Sequence, residues 1–549
     1  HDEALNAARD VIPVRLVAES GDIVVPFNAA DLKLALYSPQ PVLAEAGGDI
    51  RNLSLRSQHF GSDDVTRLRA GGDITFDAIV DSSGQPIDGV REGIQVGGQG
   101  KVEVLAGGSI DLANSIGIVS RGNYDNPALP EKGASISVAA GSTTLDGAAL
   151  IALLDAVAQG RAGNVFDASI LKLAGSQDLD AVLAQDANGA IRTLRAEERA
   201  RLRSVLDDMD AAIVTWMRAQ PGNEGHSDDA LRADFDLLPS ARRDGFFTSH
   251  RPLVERALNA GLRYAGQLGD LLGSGEDGYA AGYALIDGAF GTPGKGDINV
   301  FYSQVKSEQG GDVTLYAPGG SITVGVAGAG ASSQSPSRQG LFAIGSGEIN
   351  AVAGEDFQLG PSRVFTLGGG DIQLWASRGD IDAGKGSNTA SATPPPQVVI
   401  RGDQVVLDLS ASVSGSGIGT LKRSDDVPDA DIRLFAPAGA VIAADAGIRS
   451  SGDVRIGAAR VVGDNIRAGG SVGGSATVAA AAPAAPSAPP PTEANKAVDA
   501  GQTATAAGEQ GERERNSVLT VELVGLGDTT TAAGCSEDDD NCRRGGDRL

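Results

Sequence analysis

The residues of this 549-residue chain best suited to chemistry are its two cysteines, Cys535 and Cys542, separated by Ser-Glu-Asp-Asp-Asp-Asn. A zinc site needs about four ligands, and no histidine lies near this pair. A disulfide would close a short ring, worth roughly 2–3 kcal/mol on the chain-entropy model, so stabilising a fold would not be its main effect. Two thiols that merely share a polar tail are the third reading. The residues alone leave the last two open.

Other chemistry has less to stand on. His1, His59, His226 and His250 are scattered and have no i, i+4 partner, which argues against a metal centre or a catalytic triad. The stretch "GSGEDG" (273–278) fits the G-x-G-x-x-G phrase of dinucleotide sites, but no long apolar strand precedes it and its acids would face phosphate. Aspartates recur after glycines, yet without the dense G-G-x-G-x-D spacing of calcium-binding rolls, so they read as turn formers. No catalytic, metal or cofactor site is therefore expected.

The elements that must carry the chain are announced by repetition: "AGGDIRNLSL" (46–55), "AGGDITFDAI" (70–79), "AGGSIDLANS" (106–115), "QGGDVTLYAP" (309–318), "GGGDIQLWAS" (368–377) and "SGDVRIGAA" (451–459). Each joins a Gly-Asp or Gly-Ser corner to alternating residues with aliphatics at i and i+2, the pattern of a strand with one face buried. Glycine is expected to supply positive φ at the corner, and Asp or Ser to bond the turn backbone. Corners lie nine residues apart (Asp312 to Ser321, Asp371 to Asp380) or 24 apart (Asp49 to Asp73). A parallel β-solenoid has this rhythm. With 76 glycines, about twice the usual share, and only 4% aromatics, its core must be aliphatic.

The predicted fold class is mainly β: a parallel β-helix with an α-helical insertion and a disordered C-terminal tail. Residues 1–143 and 273–470 are read as solenoid. Residues 144–272 are read as a helical insertion protruding from one coil, because Leu194, Leu202, Val205, Leu206, Met209, Ile213, Trp216 and Met217 follow a 3.6 period. An Ala/Pro-rich linker (471–516) and an anchor segment (517–549), with one possible strand at 517–527, complete the chain. A net charge of −26 argues against nucleic acid as a partner. No run approaches the ~18 apolar residues of a membrane helix. His1 is not a natural start, so a fragment or processed product is expected.

The repeats, with "AGGSIDLANSIGIVSRGNYDNPALPEKGASISVAAG", "GDINVFYSQVKSEQGGDVTLYAPGGSITVG" and "DIRLFAPAGAVIAADAGIRSSGDVRIGAA", resemble the C-terminal region of filamentous-haemagglutinin-type exoproteins over about 40–140 and 280–470. That resemblance implies a secreted adhesin and an outer-membrane two-partner-secretion transporter as its partner. The tail resembles CdrA-type biofilm adhesins, which are held at the cell surface by a C-terminal cysteine hook and released when a LapG-type periplasmic cysteine protease cuts Thr-Ala-Ala-Gly. Two copies are present, Thr505-Ala506-Ala507-Gly508 and Thr531-Ala532-Ala533-Gly534. The resemblance makes a Cys535–Cys542 disulfide the expected state, formed in an oxidising periplasm and acting by shape as a stopper. The first Thr-Ala-Ala-Gly copy is favoured for cleavage because the second abuts the ring. Extracellular polysaccharide is a candidate ligand. The alternatives are a β-helical polysaccharide-degrading enzyme, which would need clustered carboxylates in a groove, and the stalk of a contact-dependent toxin.

Overall fold

The computed structural model describes residues 12–26, 34–80, 92–123, 129–273, 275–325, 339–384, 397–401, 404–408, 415–422, 425–443 and 445–474. The predicted linker begins too early at 471, since Val472–Gly473 is a strand paired with Val454–Val462; the rest of it, the expected strand at 517–527, the expected disordered tail and every candidate residue from Thr505 to Cys542 lie outside the described residues.

The β part repeats one structural unit, coil after coil. Each coil has a long face of about five residues, a short face of two, and a third face. Val42–Ala46, Val65–Ala70, Lys101–Ala106, Ser135–Ala139, Val313–Ala317, Ile349–Ala353 and Ile372–Ala376 stack in parallel on the long face. Ile50, Ile74, Ile110, Ile298, Ile322, Phe357 and Ile381 stack in register on the short face. The third face is a ten-stranded parallel sheet running from Leu36–Ser38 to Ile466–Ala468. Near the C-terminal end, Ile432–Ile442 and Val454–Val462 run straight through the corner and join the long and short faces into one sheet. This is the predicted parallel β-solenoid.

Its interior is built from columns of like residues. Val313, Ile349, Ile372, Ile432 and Val454 form one, and Leu315, Ala351, Leu374, Leu434 and Ile456 another; all belong to a single aliphatic core. Alternation sends i and i+2 inward, and parallel in-register stacking places each residue on its counterpart.

The corner residues work differently from the expectation. Between the long and short faces, Gly71 and Gly107 do not have positive φ. A Cβ there would meet the backbone of the preceding coil, at Gly47 and Gly71 respectively. Glycine is required because coils approach too closely for a side chain. The Asp side chain likewise bonds the next coil rather than its own turn. Asp22 Oδ1 accepts from Asp49 N at 2.8 Å, Asp49 Oδ1 from Asp73 N at 2.8 Å, and Asp73 Oδ1 from Ser109 N at 2.7 Å. A second ladder precedes the long face, where Asp371 Oδ1, Asp431 Oδ1 and Asp453 Oδ1 accept from Asp431 N, Asp453 N and Ser471 N.

The chain leaves the solenoid at Gly141 and returns at Gly294, whose N–H donates to Gly141 O at 2.9 Å. Between them run helices from Gly147–Ala158 to Ala280–Phe290. The helical run thus passes residue 272: Gly273, in the left-handed region, ends Arg251–Leu272, and the Ala/Gly-rich segment that follows begins another helix. Ala190–Arg218 buries Leu194, Leu202, Leu206, Met209, Ile213 and Met217, the stripe read from the sequence. The insertion does not protrude. It lies against the outer side of the long face, where Leu105, Ala139, Tyr316, Val352, Trp375 and Phe435 share its hydrophobic core. These six residues form one outward column, each paired in register with the next.

Candidate functional site

Helices Arg251–Leu272 and Ala280–Phe290 dock on this column by fitting aromatic rings against glycines. A Cβ at Gly266 would strike the Phe435 ring, and one at Gly282 the Trp375 ring. Trp375 packs with Phe435 at 5.6 Å, Tyr279 at 6.0 Å and Tyr283 at 6.1 Å between ring centroids. Such pairs add to simple area burial. Polar ties flank the rings. Tyr316 Oη donates to Asn259 Oδ1 at 3.0 Å, Gln373 Nε2 to Asn259 O at 3.1 Å, and Tyr283 Oη to Ser377 O at 2.7 Å. Burial pushes the Tyr316 hydroxyl well above its ordinary value, so it stays a donor.

Beside this seam the long face and helix Arg251–Leu272 leave a cleft of about 570 Å³. Asp312, Glu348 and Asp371, which directly precede strands on three successive coils, line one wall; Arg256, Asn259 and Arg263 line the other. Burial raises the carboxyls of Asp312 and Glu348 above their ordinary values, and Asp312 and Asp371 raise Glu348 further. The same acids have structural partners. Asp312 Oδ1 accepts from Glu348 N at 3.0 Å, and Arg433 bridges Asp371 Oδ2 and Asp431 Oδ2 at 2.7 Å each.

Deeper in the seam, Glu255 Oε1 accepts from Ser137 Oγ and Arg251 Nε, both at 2.6 Å. Burial raises the Glu255 carboxyl, while Arg251 and Ser137 act in the opposite sense.

The sequence-nominated histidines are not brought together. His59 is buried in the solenoid between Gln99 O and Thr66 Oγ1, both at 2.8 Å, and burial lowers its pKa. His226 faces Asp234, and His250 stacks on Phe246 at 4.1 Å. "GSGEDG" follows a helix and leads into a short 3-10 turn, Gly275–Tyr279, so it lacks the strand–loop–helix setting of a phosphate cradle. Among the described residues no cluster of three or more His, Cys, Asp or Glu is placed to hold a metal ion, and no helix is long and apolar enough to cross a membrane.

Sequence reading missed the seam. Its signal was visible: the outward strand position holds Tyr316 in "VTLYA", Trp375 in "IQLWA" and Phe435 in "IRLFA". Large apolar residues on both faces of a strand mean that both faces are covered.

The architecture defines the class: a three-faced parallel β-helix carrying a docked helical insertion. Residues 369–477, covering the last coils, match the model of a family described as filamentous haemagglutinin family outer membrane protein. No curated protein and no solved structure matches the chain.

Proposed function

We propose that the chain is a secreted surface adhesin of the two-partner-secretion type, exported by an outer-membrane transporter and active in biofilm formation. The observation that carries this reading is the continuous parallel coil, whose last turns match the filamentous haemagglutinin family. Stacked coils make a long rod with a repetitive exterior, suited to contact at a distance from the cell. The protein is no enzyme on this reading, and extracellular polysaccharide is its candidate ligand.

Retention belongs to the tail. A Cys535–Cys542 disulfide closes an acidic ring that cannot follow the extended chain through a transporter, and a LapG-type periplasmic protease frees the rod at Thr-Ala-Ala-Gly. Cys535→Ser and Cys542→Ser should each shed the protein into the medium with export intact. The double variant should do no more than either single one, since one bond is lost in every case. Unchanged retention in both single variants sinks the hook. Replacing Ala506-Ala507 by Arg-Arg should block release if the first copy is cut. Release that stops only when Ala532-Ala533 is changed assigns the second.

The cleft lined by Asp312, Glu348 and Asp371 favours one other reading, a β-helical polysaccharide-degrading enzyme, since burial raises the Asp312 and Glu348 carboxyls in a groove. Reducing-sugar release from acidic and neutral polysaccharides, absent in Glu348→Gln, would support it. Equal, background-level release by both proteins would leave the adhesin alone.

A further inference from the structure

We infer that a second, smaller pocket, where the insertion meets the N-terminal coils of the long face, binds one oxyanion group: a carboxylate, sulfate or phosphate. The pocket, about 130 Å³, is lined by Arg67, Arg69, Glu103, Thr143, Phe247 and Arg251, among others. Three guanidinium groups from two separate elements converge on it, in a chain whose net charge is −26. Among the described residues only one carboxylate lines it, Glu103, and that is engaged by Arg67 Nε.

Arg251 supplies the decisive observation. Its side chain is 5% exposed, its Nε donates to Glu255, and its Nη1 reaches Thr143 O at 3.4 Å. Its Nη2 is buried and has no hydrogen-bond partner among the described residues. Buried guanidinium donors are normally satisfied, so this unused donor, on a side chain that lines the cavity, calls for an acceptor. Arg69 is exposed: among the described residues its Nη2 reaches Thr143 Oγ1, at 3.4 Å, and it enters no ion pair. With Arg67 and Arg251 balanced by Glu103 and Glu255, Arg69 leaves one positive charge over.

The ligand class follows from the donors. Planar guanidinium forks match the paired oxygens of carboxylates, sulfates and phosphates, and they offer nothing to a cation or a neutral apolar group. Thr144 and Thr248, also in the lining, are exposed, so the pocket opens to solvent and the carrier of the anion can remain outside. The same chemistry can come as a free inorganic ion or as the acidic group of a sugar. The site stands on the pocket's own geometry and does not depend on the adhesin reading.

The test is isothermal titration of the full chain, at fixed ionic strength, with inorganic sulfate, inorganic phosphate and galacturonate oligomers. Saturable binding at one site is expected for at least one probe. Arg69→Gln should weaken it tenfold or more without shifting the melting temperature, since Arg69 is exposed and holds no ion pair among the described residues. Arg251→Gln removes the partner of buried Glu255 and risks unfolding, so Arg69→Gln carries the decision, with Arg69→Lys expected to recover part of the affinity. Binding by inorganic ions alone assigns a free anion; binding by galacturonate alone, or more tightly than by the ions, assigns an acidic glycan. No saturable binding of any probe, or binding indifferent to Arg69→Gln, overturns the site.

Discussion

The corner aspartates tie one coil to the next with charge-assisted hydrogen bonds, so each should be worth more than an ordinary turn residue. Asp73→Ala strands Ser109 N and should cost about 1–2 kcal/mol, whereas Asp73→Asn keeps an acceptor oxygen and should cost less; urea melts of the pair would show the order. Glu348 makes the opposite kind of contribution. Its carboxyl is raised above 4.5, so the folded protein holds the proton more tightly than the unfolded chain. Its contribution favours folding at low pH and is lost as pH rises from 4.5 through the raised value. Glu348→Gln removes that dependence. Its melting temperature should fall less with rising pH than that of the parent, and parallel curves would refute the assignment. These roles were half legible. Asp and Gly at fixed offsets announced corners, but which coil an Asp side chain reaches depends on stacking, which no single repeat contains.

At the scale of elements, the nine- and 24-residue spacings translate directly into geometry. Nine is the step from the corner before the long face to the corner after it, as from Asp312 to Ser321, and 24 is one full turn of coil, as from Asp49 to Asp73. Both were read from glycine and alternation because those signals are local. The docking of the insertion was not, since it depends on small residues in helices meeting large ones in distant strands. Gly282 against Trp375 is the clearest case. Gly282→Leu should expel the Trp375 ring, lowering the melting temperature of the helical signal at 222 nm while strand signal persists. A single unshifted transition would show that the seam carries little. The roles given to Cys535, Cys542 and both Thr-Ala-Ala-Gly copies rest on resemblance alone, and these residues lie outside the described ones.

For the whole molecule, coil-on-coil stacking predicts that stability is a sum of neighbouring interfaces. Replacing 142–293 by a short corner should therefore leave the β spectrum intact. It also uncovers Tyr316, Val352, Trp375 and Phe435 in one apolar column, so the shortened protein should bind a hydrophobic dye and aggregate. Changing these four residues to Thr should suppress both effects, and a dye-negative, monomeric deletion would mean that the insertion covers nothing that matters. The Gly141–Gly294 closure has a further consequence, in the order of events. Asp297 N meets Ser109 Oγ across 188 residues, against 24 at the ordinary Asp49–Asp73 step. By the logarithmic law for loop closure, that contact costs about 2 kcal/mol more to form. Assembly should begin on either side of the gap as two separate nuclei and meet there last. In pulsed hydrogen exchange, the amide of Asp297 should gain protection after those of Asp73 and Asp380.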